Sequence, residues 1–151
     1  MASGLLAGVL DGLDAVVFIG LMSGIPVVRV FQFIASGLIG MRAFDGGIPA
    51  AALGVVLHFT IAIGAAATFY LLSLKLPILL QRPLLCGPIY GIGVFAFMHY
   101  LVVPLSAAPR QPPLRVSSLL NLIFSHIFFV GIPIVLVTSR MAGRQDPAED
   151  A

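Results

Sequence analysis

The sequence predicts an all-α polytopic membrane protein, a four-helix transmembrane bundle with one short re-entrant or interfacial helix after the first span. Three observations carry this. The 151-residue chain is 60% hydrophobic and 9% charged, with a mean hydropathy of +1.11, whereas soluble domains are about 45–50% apolar and about 25% charged. Four stretches reach the roughly 20 apolar residues that a helix needs to cross the hydrocarbon core. None alternates in polarity as the strands of a membrane barrel do; residues 50–59, Ala-Ala-Ala-Leu-Gly-Val-Val-Leu-His-Phe, are typical.

The first stretch covers about 4–28 and contains Asp11 and Asp14. Its start lacks the positive n-region of a secretory signal, so it is expected to stay as a span. Next comes an apolar segment, 30–41, with Gln32 and Ser36 inside it. Such a length is too short to cross and predicts a short helix at one membrane face, ended by Gly46-Gly47-Ile48-Pro49. The second span covers about 48–74 and the third about 84–105, joined by a short link with Lys75 and Arg82. Pro109, Pro112, Pro113, Arg110 and Arg115 predict an extended connector to the fourth span, about 117–139. The tail 140–151, ending Asp-Pro-Ala-Glu-Asp-Ala, is expected to be disordered.

Charge says little about partners beyond membrane lipid. The eight Lys and Arg are spread over the connections, without the clustered basic patch that nucleic acid requires. Four spans put Lys75, Arg82, Arg140 and Arg144 on one side and Arg29, Arg42, Arg110 and Arg115 on the other. That tie gives the positive-inside rule nothing to act on; the polar tail favours cytoplasmic termini, because it then needs no translocation. Cys86 is the single cysteine, in an apolar neighbourhood, and reads as a small buried thiol.

Small residues recur at four-residue spacing. Gly4, Gly8 and Gly12 form one series, Gly20 and Gly24 a second, and Gly87 and Gly91 a third, while Gly54 sits in a fourth with Ala50, His58, Ala62 and Ala66. In lipid such residues let helix backbones approach closely. They predict packing within the bundle, with a homodimer face as the alternative.

Ionisable residues inside spans are costly and mark functional sites by default. Asp11 and Asp14, three apart, share a helix face; a carboxyl at the depth of Asp14 is expected to be neutral, or paired with a cation or a donor. His58, His99 and His126 all fall roughly 9–15 Å below the same membrane surface by the helical rise. Gln32, Tyr100, Asn121 and Ser125 would border them, and Ser118, Asn121 and Ser125 form a polar stripe. One reading is a polar cavity handling protons or a small solute, since histidine titrates near physiological pH. Another is that each imidazole is interhelical glue. A third is haem held by His58 and His126 from two helices. No CxxCH, HExxH or ExxH spacing occurs, and neither a P-loop nor a dinucleotide-binding fingerprint is present. No catalytic residue, no metal site and no cofactor is predicted; the chain is not expected to be an enzyme.

Several local patterns carry a resemblance: Gly8-x-x-Asp11, Ile34-Ala35-Ser36-Gly37, and Leu53-Gly54-x-x-x-His58-Phe59-x-Ile61-Ala62 in the first half. In the second half stand Arg82-Pro83-x-x-Cys86-Gly87-x-x-Tyr90-Gly91, Val103-Pro104-Leu105-Ser106, Ser125-His126 and Gly131-x-Pro133-Ile134. The chain resembles a group of small four-span bacterial inner-membrane proteins and, in its second half, is distantly similar to the YagU-like inner-membrane proteins. That resemblance implies a multi-pass protein of the bacterial inner membrane and a link to acid resistance. It transfers no catalytic residue. A small accessory subunit of a larger membrane complex, packing through its glycine faces, is the competing functional expectation.

Overall fold

A computed structural model describes residues 1–22, 24–110 and 115–143. Within them the chain is helical, with no strand. Helix α1 (Ala2–Ala15) runs on as a π-helical segment, Val16–Met22. Helix α2 (Val27–Ile39) leads through a 3-10 turn, Gly40–Phe44, into α3 (Gly47–Lys75). A single-turn helix α4 (Ile78–Gln81) precedes α5 (Pro83–Phe97), which continues through a π segment, Met98–Val102, into α6 (Val103–Leu105). The last long helix is built from α7 (Val116–Ser125), a π segment His126–Gly131, and α8 (Ile132–Ala142). The expected tail from 144 onward, and Pro112 and Pro113 of the expected connector, lie outside the described residues.

Five helical stretches are long and apolar enough to cross a membrane by length and composition: Ala2–Gly20, Val27–Phe44, Gly47–Lys75, Pro83–Leu105 and Val116–Ala142. That is one more than the four expected, and the additional one is the segment read as too short to span. Val27–Phe44 is not one rod. Gly40 ends α2 at φ +65, ψ −152, a conformation open essentially to glycine alone. Beyond it the chain folds back: the Arg29 guanidinium donates to the Phe44 carbonyl at 3.3 Å and lies over the Phe44 ring, 5.4 Å from its centroid. In a straight helix those residues would sit roughly 22 Å apart along the axis. The 13 α-helical residues of α2 cover only about 20 Å of a core about 30 Å thick.

The four long helical stretches other than Val27–Phe44 alternate in direction. An added Cβ at Gly4 would meet Ile63 Cα at 2.7 Å, one at Gly8 the Phe59 ring at 2.8 Å, and one at Gly12 His58 Nε2 at 3.2 Å. Ascending positions on α1 thus meet descending positions on α3, which makes the two antiparallel. An added Cβ at Gly87 would meet Ile132 Cα at 3.0 Å and one at Gly91 would meet Ile127 Cα at 2.8 Å, so α5 is antiparallel to the last helix. Gly54 backs onto the Phe31 carbonyl, leaving no room for a side chain between α2 and α3. These are the close approaches that small residues permit in lipid. An added Cβ at Gly20 would come no nearer than 3.6 Å to a non-adjacent atom, and one at Gly24, where φ is +67, would meet none within 4 Å; this pair serves the turn into α2 rather than a helix contact.

Two of the π segments have a local cause. Pro104 and Pro133 each stand two residues after one, Met98–Val102 and His126–Gly131. A proline inside a helix lacks its N–H and clashes with the carbonyl four residues back, here Tyr100 and Phe129. Widening the preceding turn by one residue relieves that clash and re-aims the backbone. Where the helices converge, Ala7, Ala66, Phe69, Val130, Ile134 and Val135 form the buried core, flanked by Tyr90, Cys86 and Val94. The Tyr90 hydroxyl donates to the Ala65 carbonyl at 2.6 Å, and its ring meets Phe69 edge-on at 5.0 Å.

Candidate functional site: a polar seam between the first and last helices

Helix α1 has two different faces. Its glycine face admits α3; its acidic face turns to α7. The three-residue spacing of Asp11 and Asp14 puts both carboxyls on that second side, and the four-residue spacing of Asn121 and Ser125 presents two donors to them. Ser125 Oγ donates to Asp11 Oδ1 at 2.8 Å, and Asn121 Nδ2 donates to Asp14 Oδ2 at 3.0 Å. Ser125 is buried, at 2% exposure, while both carboxyl-bearing residues are half-buried. Neither aspartate forms an ion pair among the described residues. Both carboxyl groups are therefore held by neutral donors.

The three histidines do not join this seam. The only partner His58 Nε2 has here is the Gly8 carbonyl, 2.8 Å away; a carbonyl cannot donate, so Nε2 carries the proton. The ring is closed in by the edges of Phe59 and Phe31, with centroids 5.5 and 6.5 Å away. His126 opens the last π segment and donates through Nδ1 to the Leu122 carbonyl one turn back, at 2.8 Å. His99 stacks on Phe95 at 5.4 Å and 12°, and His126 meets the same ring edge-on at 5.7 Å. Tyr100 closes on His99 at 4.8 Å. His58 thus belongs to the contact of α1 with α3, while His99 and His126 share Phe95. Gln32, buried, donates to the Gly47 carbonyl at 3.1 Å and ties α2 to the start of α3.

No group of three or more His, Cys, Asp or Glu able to hold a metal occurs among the described residues. For haem held between His58 and His126, the nitrogens left by the backbone bonds are His58 Nδ1 and His126 Nε2. Two clefts, of about 230 and 190 Å³, are lined by apolar side chains with Tyr90 and Cys86 in one and Ser106 in the other; no histidine or aspartate lines either.

Two residues central to these contacts carried no distinguishing signal in the sequence. Phe95 is the platform for both His99 and His126, and its only mark is its position four residues before His99. Tyr90 anchors α5 to α3 and was legible only as the neighbour of Gly91. Comparison of the chain with protein-family models, with curated proteins and with solved structures finds no match.

Proposed function

We propose that the chain is an integral membrane protein of four crossing helices, with α2 a short helix entering and leaving on one side, and that the seam between α1 and α7 moves protons or a small polar solute. The topology rests on direction. Because α1 and α3 are antiparallel neighbours, the chain leaves α1 at the end where α3 begins. A segment joining two points on one side does not cross. The fold-back at Gly40 and the 20 Å length of α2 agree with this reading.

The observation that carries the functional reading is the pair of aspartates bonded to neutral donors. Among the described residues no cation is paired with either carboxyl, and acidic groups inside spans mark ion and solute paths. The resemblance to proteins linked with acid resistance points the same way.

The test is proton uptake into vesicles containing the purified protein, driven by a potassium gradient and followed with a pH-sensitive dye. Asp11→Asn and Asp14→Asn keep an acceptor oxygen for Ser125 and Asn121 while removing the titratable group. Wild-type uptake above that of protein-free vesicles, lost in both variants, supports the reading. Wild-type uptake equal to protein-free vesicles ends it for protons; the same vesicles loaded with small polar solutes then decide the solute form.

A second reading is an accessory subunit. Gly64 and Gly93 have no atom within 4 Å of an added Cβ, so two small-residue positions face outward where another membrane helix could approach.

A further inference from the structure

The cleft of about 230 Å³ lies where the end of α3, the short helix α4 and the start of α5 meet. Leu72, Leu76, Leu79 and Ile89 form its walls, with Phe69 and Tyr90 beneath. The one hydroxyl in that lining is already bonded to Ala65, so the surface offered is hydrocarbon. Two cationic residues flank that lining in sequence, Lys75 directly before Leu76 and Arg82 between Leu79 and Cys86. Lys75 closes α3 and Arg82 caps α5. Both are exposed, and neither side chain has a hydrogen bond or ion pair among the described residues. The link between them, Leu-Pro-Ile-Leu-Leu-Gln, contains no acidic residue.

We infer that this cleft seats an acyl chain of an anionic phospholipid whose phosphate is held by Lys75 and Arg82. The apolar lining selects hydrocarbon, and basic positions beside a membrane helix attract anionic headgroups. A second copy of the chain fits less well, because a twofold contact here would bring Lys75 and Arg82 against their own counterparts. The acidic residues of the tail, Asp146, Glu149 and Asp150, have the right sign for Lys75 and Arg82 but no hydrocarbon for the cleft.

Cys86 lines the same cleft and is the chain's single cysteine, so its alkylation reports occupancy without any engineered label. The full chain is placed in nanodiscs of phosphatidylglycerol or of phosphatidylcholine, and the rate of reaction with an uncharged maleimide is measured. In parallel, native mass spectrometry from mild detergent counts retained phosphatidylglycerol against phosphatidylcholine. The expected result is slower alkylation in phosphatidylglycerol and one retained anionic lipid, with the preference falling about fivefold for each of Lys75→Gln and Arg82→Gln. Leu79→Trp, which fills the cleft but keeps both cations, should lose the retained lipid; circular dichroism of each variant verifies that it remains folded. Equal alkylation rates in the two lipids overturn the inference. So does lipid retention that is indifferent to the charge substitutions, or a lipid-free dimer.

Discussion

Asn121 donates to Asp14 at 3.0 Å across 107 residues of sequence, and with the Ser125–Asp11 bond it fastens the first helix to the last. Interhelical hydrogen bonds in membranes are worth about 0.6 kcal/mol on average and up to about 2 kcal/mol. Asn121→Leu should therefore destabilise the bundle by about 1 kcal/mol, read from unfolding in mixed detergent. In the background of Asp14→Leu the same substitution should cost less, because its partner is already gone. Equal costs in both backgrounds would mean that the two side chains do not interact.

The glycines divide sharply. Gly91→Leu would drive a side chain into the backbone of His126 and Ile127, and overpacking of that severity costs about 3 kcal/mol. Gly64→Leu and Gly93→Leu meet open space and should leave the thermal transition of the isolated protein unchanged. If either one instead abolishes co-purification of another membrane protein, the accessory-subunit reading gains its partner face.

His58 offers a direct comparison of hydrogen bonding with titration. His58→Gln keeps a donor for the Gly8 carbonyl, whereas His58→Leu leaves that side of the contact apolar. The Leu variant should lower the melting temperature relative to the Gln variant, by an amount corresponding to about 1 kcal/mol. Vesicle proton uptake should be the same for His58→Gln as for wild type, because His58 bonds the Gly8 carbonyl rather than either carboxyl of the seam.

Pro133→Ala restores an N–H that can bond the Phe129 carbonyl. The π segment His126–Gly131 should then tighten towards regular α-helix, turning residues before it by roughly 100° relative to those after it. Backbone amide chemical shifts over 126–131 should move accordingly, and the contact of His126 with Phe95 should be lost. Unchanged shifts would place the cause of the π segment elsewhere, in the packing of Gly131 against Gly87 and Gly91.

How far the sequence could be read follows from what a helix makes visible. Hydropathy and Gly spacing located the long helices and several of their contacts, because both act through composition along one chain. The i, i+3 pairing of Asp11 with Asp14 and the polar stripe through Asn121 and Ser125 were legible as two separate faces. That they would meet was not, since it depends on how each helix is rotated about its axis. The same blindness affected the histidines. Their shared depth follows from counting residues, but depth does not say which neighbour a side chain faces, and His58 turned to α1 while His99 and His126 turned to Phe95. The π segments shift that rotation again. Pro104 and Pro133 stand beside two of them, and nothing in the sequence marked the one at Val16–Met22.

The seam also sets a condition on biogenesis. Helix α1 is made before α7, and the donors that satisfy its two carboxyl groups are encoded 107 and 114 residues later. At about 5–20 residues per second the ribosome takes roughly 5–20 s to supply them. During that interval α1 can engage α3 through its glycines while its acidic face stays unsatisfied. A nascent chain cut short before α7 would carry that face exposed, a distinguishing mark by which a membrane quality-control protease could tell an incomplete chain from a finished one.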